Sequence, residues 1–337
     1  MKTTTTFAFL VASLTMAICL ASVAHTAPVT FDWAAVGNQG NAADTTGFGA
    51  VADTYRISTT EVTNAQYTEF LNAVDPTGAN LLGLFNPSMV FNFGGIEKTG
   101  TTDGARYITQ TCRENNPVTY VSWYDSVRFI NWLGNGQGAG DTETGAYTLL
   151  GFTAIPSNSL ILTRNAGATY FLPSEDEWYK AAYYDPSGVY YDYATGSDTV
   201  PVSDQPGDDP SAANYFDNDG LANGFNDGYA VTGTTSFGSN PFTDVGAYTD
   251  AASPYGTYDQ NGNVFEWNEA FSSNLGFRGI RGGGWSNFIS SLAASTQGDS
   301  PSAGTFNLGF RVASIPEPST LLLGAMAAVG LLMQGRV

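Results

Sequence analysis

Histidine and cysteine are almost missing from this chain, whose 337 residues include one His and two Cys. Cys19 and His25 lie in or beside an N-terminal apolar stretch, so a chain trimmed there keeps Cys112 alone and at most His25 at its start. One thiol cannot close an intramolecular disulfide, even in an oxidising compartment. So few ligands cannot build a Cys/His zinc cluster, a Ser-His-Asp triad or a Cys-His pair either. Cys112 therefore reads as a small packing or loop residue rather than a redox centre. Positive charge is scarce too: 12 Lys and Arg stand against 31 Asp and Glu, for a net charge of -19. Nucleic-acid binding needs a basic face that releases counterions, and docking on anionic lipid needs the same sign. The composition argues against both.

What is present points to a folded, loop-rich body. Hydrophobic residues make up 42% and aromatics 13%, enough for a true core, which excludes wholesale disorder. The 39 glycines, with many Asn, Asp, Ser and Thr, favour short elements joined by turns, a profile that suits a protein outside the cytoplasm. At about 100–200 residues per domain, the length allows one large domain or two small ones. Residues 29–314 show no strict repeat and no clear Pro- or Ser-rich linker, so they read as one domain. Within it, 187–253 is rich in Asp, Gly and Asn and lacks periodicity. It is expected to be an ordered loop only if something holds it.

Both ends read as addresses. Met1-Lys2 supplies a positive start, 7–20 is apolar, and Ser22-Val23-Ala24 places small residues for cut by signal peptidase near Ala24. An N-terminal membrane anchor is the alternative, but the run is short. At the other end, Ile315-Pro316-Glu317-Pro318-Ser319-Thr320 precedes an apolar stretch at 321–333 and the basic Arg336. That stretch is shorter than the ~20 residues a spanning helix prefers. Motif, apolar run and basic end, in this order, resemble the PEP-CTERM sorting signal of Gram-negative bacteria that make exopolysaccharide. The resemblance implies transient anchoring in the inner membrane, cleavage near the Pro-Glu-Pro by an exosortase, and release to the cell surface or extracellular matrix. A bland hydrophobic tail is the other reading.

Three helices are legible. Thr63 with Gln66 makes a capping box, followed at helical spacing by Tyr67, Phe70, Leu71 and Val74. Ser122 with Asp125 opens a second, with the stripe Trp123, Val127, Ile130 and Leu133 and a stop at Gly134. Ser174 with Glu177 caps a third that buries Trp178, Ala181 and Ala182. Strands are expected at 55–59, 118–121 and 309–313. Glu175 and Glu177 could be acid/base residues, yet a helix's first turn favours carboxylates anyway, and the structural reading is preferred.

Six segments in order resemble the formylglycine-generating enzyme (sulfatase-modifying factor) family: Tyr55-Arg56-Ile57-Ser58-Thr59-Thr60-Glu61-Val62-Thr63-Asn64; Asn116-Pro117-Val118 leading to Val121-Ser122-Trp123; Leu172-Pro173-Ser174-Glu175-Asp176-Glu177-Trp178; Asn261-Gly262-Asn263-Val264-Phe265-Glu266-Trp267; Arg281-Gly282-Gly283-Gly284-Trp285; and Asn307-Leu308-Gly309-Phe310-Arg311. The resemblance implies an α+β fold related to C-type lectins, with little regular secondary structure and much of the chain in packed loops. The active oxidase of that family binds copper through two cysteines just beyond its Gly-Gly-Ser segment. Here Gly284-Trp285-Ser286-Asn287-Phe288-Ile289-Ser290-Ser291 contains none, and Gly284 stands where the family has serine. A related branch, the ergothioneine-pathway sulfoxide synthases, binds iron through three histidines that this chain lacks. No copper or iron is therefore expected, and no catalytic residue is assigned.

The resemblance also implies calcium. Carried over residue by residue, one site falls on Asp259 and Glu266 as carboxylates with the carbonyls of Gly262 and Val264. A second falls on Asn214, Tyr215, Asp227 and Tyr229. Hard oxygen ligands on loops suit Ca²⁺, and a solvated acidic turn is the alternative. Gly282, Gly283 and Gly284, without side-chain bulk, suit close approach or positive φ. They are expected to floor a ligand groove built from Gly284 and flanked by Trp285 and Asn287. Two functions stay open: a non-catalytic binding module at the cell surface or in the matrix, with exopolysaccharide or a surface protein as partner, or an enzyme that modifies an exported protein.

Overall fold

Helices form where capping and apolar spacing coincide. A computed structural model describes residues 28–221, 226–272 and 276–316. The signal-peptide and sorting-tail readings, with Cys19 and His25, lie outside the described residues. All three capping boxes are made in both directions: Thr63 with Gln66 on α1 (Asn64–Val74), Ser122 with Asp125 on α2 (Trp123–Gly134), and Ser174 with Glu177 on α3 (Glu175–Tyr183). Each box satisfies two N–H groups that the first turn would leave orphaned, worth about 0.5–2 kcal/mol per cap. The stripes of α1 and α2 merge in one aromatic core in which Phe129 meets Phe70 and Phe310 edge-on. Trp178 and Ala182 of α3 form a separate cluster, and Ala181 packs on a sheet with Ile57 and Phe171.

The strands that matter are, in chain order, β1 (Trp33–Val36), β2 (Tyr55–Ser58), β3 (Tyr170–Phe171), β4 (Phe216–Asn218), β5 (Asp227–Tyr229), β6 (Phe265–Ser272), β7 (Phe277–Arg281), β8 (Gly298–Pro301), β9 (Leu308–Gly309) and β10 (Ala313–Ser314). One antiparallel sheet runs β1-β2-β10-β3, with Ala313 opposite both Ile57 and Phe171. A second runs β8-β7-β6-β9, in which only β6 and β9 are parallel. Among the described residues, three α-helices, short strands and long loops make this α+β.

Two expected strands differ. No strand forms at 118–121: Tyr120 takes φ 59°, a left-handed conformation that breaks an extended run. What remains there is a bridge from Thr63 to Pro117 and the bond from Val118 N–H to the Val62 carbonyl. The 309–313 stretch is not one strand but the end of β9 and the start of β10, which belong to different sheets. Between them Phe310, Arg311 and Val312 are all buried, so the chain crosses the core there.

The acidic insert is held by tyrosines and an asparagine. Tyr215 Oη donates to the Pro201 carbonyl at 2.7 Å, and Tyr248 Oη to that of Asp204 at 2.7 Å. Asn214 Nδ2 reaches the Pro241 carbonyl at 2.9 Å.

Candidate functional site

The turn before β6 lies where the two sheets, α3 and the insert converge. It is shaped by left-handed residues: Asp259 at φ 61°, Gly262 at 97° and Asn263 at 55°. Gly262 is required outright, because a Cβ there would stand 2.3 Å from the Asn214 carbonyl oxygen. Its N–H bonds the Gly282 carbonyl, and Gly282 and Gly283 themselves have φ 95° and 72°. Close approach thus governs both glycine segments.

Glu266 does not point at a vacant ligand position. Its carboxylate takes Arg311 on both oxygens, at 2.6 Å to Nε and 2.6 Å to Nη2, and the Trp178 indole N–H at 2.7 Å. Arg311 also donates to the carbonyls of Ser58, Thr59 and Tyr258. Glu266, expected as a calcium ligand, is thus already engaged by a guanidinium of opposite charge. The Val264 side chain is buried against Phe242 and Trp285.

Asp259 instead faces Glu61, a residue that the sequence reading passed over. The two carboxyls act on each other electrostatically, and burial pushes the Asp259 pKa up to about 6 against the pull of the Gly246 N–H and Arg311. Burial, then the charges of Asp259 and Glu266, hold Glu61 well above the usual carboxylate range. Glu61 Oε1 accepts from Asn263 Nδ2 at 3.2 Å, and Oε2 has no hydrogen-bond partner. Asn214 Oδ1 and the whole Asn261 amide are also buried without one. Buried polar atoms left unpaired are costly; here Asn261 lines one hollow with Asp259, and Asn214 and Glu61 both bond Asn263. Among the described residues, no group of three or more His, Cys, Asp or Glu is arranged to hold a metal.

Strand pairing only partly gathers the second expected calcium set: Tyr229 lies opposite Phe216, next to Tyr215, whereas Asp227 lies opposite Asn218, four residues along from Asn214. The carbonyls of the set are engaged within the chain. Tyr215 O accepts from Ser203 Oγ, and Tyr229 O from the N–H groups of Thr232 and Gly233. Asn214 turns toward the first site, where its Nδ2 donates to Asn263 Oδ1 at 3.2 Å.

The expected groove at Gly284, Trp285 and Asn287 is filled. Trp285 is 3% exposed, and its indole sits among Phe93, Tyr229, Phe237, Phe242 and Phe306, stacked on Phe93 at 5.3 Å. Gly284 packs on the backbone of Asn263 and Phe265, and the Asn287 carbonyl accepts from Phe216 N–H. Trp285 is a core residue, not an open stacking face; the aromatics that cover it come from segments whose sequences carry no periodicity. Glu175 and Glu177 are structural: Glu175 pairs with Arg281 and Asn268, and Glu177 with Arg164 at 2.6 Å.

A family model for the sulfatase-modifying factor enzyme 1-like domain matches residues 36–315. The chain belongs to this family. The fold of the family member is also that of the crystal structure of CarF, with TM-score 0.56 and 20% identity over 86% of this chain and 99% of that one. Treponema denticola variable protein 1 (TM-score 0.45, 19% identity, 84% and 95% covered) and PvdO from Pseudomonas aeruginosa (0.43, 19%, 79% and 82%) are more distant in shape. No curated protein was found to match by sequence.

Glu61 and Arg311 both stood inside the segments that resemble the family, yet neither carried a signal of its own. A glutamate beside a helix cap usually lies in solvent. The clue available was its place between the strand 55–58 and the apolar Val62, two stretches bound for the core.

Proposed function

We propose that this family member is exported and acts as a non-catalytic binding or structural module at the cell surface or in the extracellular matrix, on a scaffold related to C-type lectins. The chemistry of 284–292 carries the reading. Where the family oxidase has copper-binding thiols, this chain offers the Asn287 amide, serine hydroxyls and a buried indole, and none of these replaces a soft thiolate. Cys112 is exposed in a separate turn, and one thiol is not a pair. The residues present do not fit copper, and a single His does not fit the three-histidine iron site.

They fit calcium better. Glu61 and Asp259, with the unpartnered oxygens of Asn261 and Asn214 close in the fold, offer the hard ligands that Ca²⁺ takes. A bound ion there would neutralise the buried pair and tie the insert to the turn before β6.

The deciding experiment incubates the full chain with a sulfatase-motif peptide, copper and oxygen. The peptide cysteine is expected to keep its mass; turnover above a copper-only blank would instead favour an enzyme that modifies an exported protein. Export through signal peptidase and an exosortase is checked by mass spectrometry, with new ends expected near Ala24 and between Pro316 and Ser319. A glycan and peptide array then tests exopolysaccharide and surface proteins as partners.

A further inference from the structure

Residues 76–96 and 144–163 contain no charged side chain, in a protein of net charge -19. Both segments turn large apolar groups into solvent: Leu81 is 86% exposed, Phe152 74%, Ile155 65%, Leu160 65% and Ile161 78%. Such exposure usually marks an interaction surface.

The loops are fastened from beneath. Buried Arg128, paired with Glu143 at 2.6 Å, donates to the carbonyls of Thr153 at 2.8 Å and Ala154 at 3.1 Å. Buried Arg278, 3.7 Å from the Trp123 ring centre, donates to those of Ser159 at 3.0 Å and Leu162 at 3.3 Å. Asn158 closes the loop through Leu150 N–H and the Thr148 carbonyl. Backbone polar groups are thus satisfied inward, and apolar side chains are held outward. The two loops touch, since a Cβ on Gly83 would lie 3.3 Å from Ala154 Cβ, and Leu81 and Phe152 share a hollow of about 250 Å³ with Val74 and Leu84.

The chain's exit lies nearby. Leu160 and Ile161 line a hollow of about 140 Å³ that includes Arg164, and Arg164 and Ile315 both line a second groove. The apolar run 321–333 follows a few residues later. Protruding apolar tips suit a fluid apolar medium, whereas the acidity of the chain repels a second copy of itself and anionic lipid alike. We propose that the 79–84 and 150–162 loops enter the head-group region of an uncharged, zwitterionic bilayer and hold the domain against the membrane. The inference rests on the reading of the C-terminal run as an anchor, and its test separates the two.

Hydrogen exchange of the full chain is compared with and without phosphatidylcholine vesicles. Amides at 79–84 and 150–162 are expected to slow on vesicle addition. Replacing two exposed positions, Leu160→Ser with Ile161→Ser, is expected to weaken vesicle partitioning about tenfold or more. Binding with unchanged loop exchange overturns the inference and leaves the anchor reading standing; no binding at all overturns both. Loops already protected without vesicles overturn it as well, in favour of a second copy if protection grows with concentration and of the chain's own tail if it does not.

Discussion

Arg311 and Glu266 meet in a two-pronged ion pair with neither side chain exposed, joining the crossing between β9 and β10 to the start of β6. Removing one partner strands a buried charge. Glu266→Ala or Arg311→Ala is expected to cost about 3–5 kcal/mol in denaturant titrations. Glu266→Gln should lower the melting temperature equally in calcium and in chelator; a shift confined to calcium would restore Glu266 as an ion ligand.

The Glu61–Asp259 pair predicts the opposite pattern. A cation that binds only the folded state adds about 2.7 kcal/mol at one hundred times Kd, so chelator should lower the melting temperature of the native chain. Glu61→Gln and Asp259→Asn should each abolish that difference. In chelator both should match or exceed the native chain, because a buried carboxyl facing another is relieved.

Trp285→Ala should act on stability rather than on a ligand. Emptying the space among Phe93, Phe237, Phe242 and Phe306 is expected to cost about 3–5 kcal/mol. A variant of native stability with lost ligand binding would reinstate the groove.

Asp125 sets a pH dependence. Burial raises its pKa from 3.8 to about 7, against the hydrogen bonds from Ser122 and the charge of Arg128. The folded chain keeps a proton that the unfolded chain has already released, so this contribution is fully present below pH 4 and is lost as pH rises to 7. The shift corresponds to about 4 kcal/mol. Asp125→Asn retains an acceptor for Ser122 N–H and should flatten that slope when urea midpoints are compared at pH 4.5 and pH 8.

The helices were legible because capping and periodicity are local: Thr63, Ser122 and Ser174 announce themselves within three residues. The glycines at 282 and 283 were legible for a similar reason, since only a few backbone geometries require them. The partner of Asp259 was not. Glu61 reaches it across nearly two hundred residues of chain, and Arg311 claims Glu266 from the far end of the domain. Nothing near either carboxylate in sequence distinguishes a metal ligand from half of an ion pair. Trp285 shows the same limit, because exposure depends on which distant phenylalanines close over it.

The place of β10 bears on when the protein can fold. This strand, the last among the described residues, lies between β2 and β3, inside a sheet whose other members come from residues 33–171. Until residue 314 has been made, that sheet lacks an interior strand and Glu266 lacks its counter-charge. Contacts that span so much of the chain form late. A nascent chain therefore cannot complete this sheet, or neutralise Glu266, until nearly all of the described residues have been made.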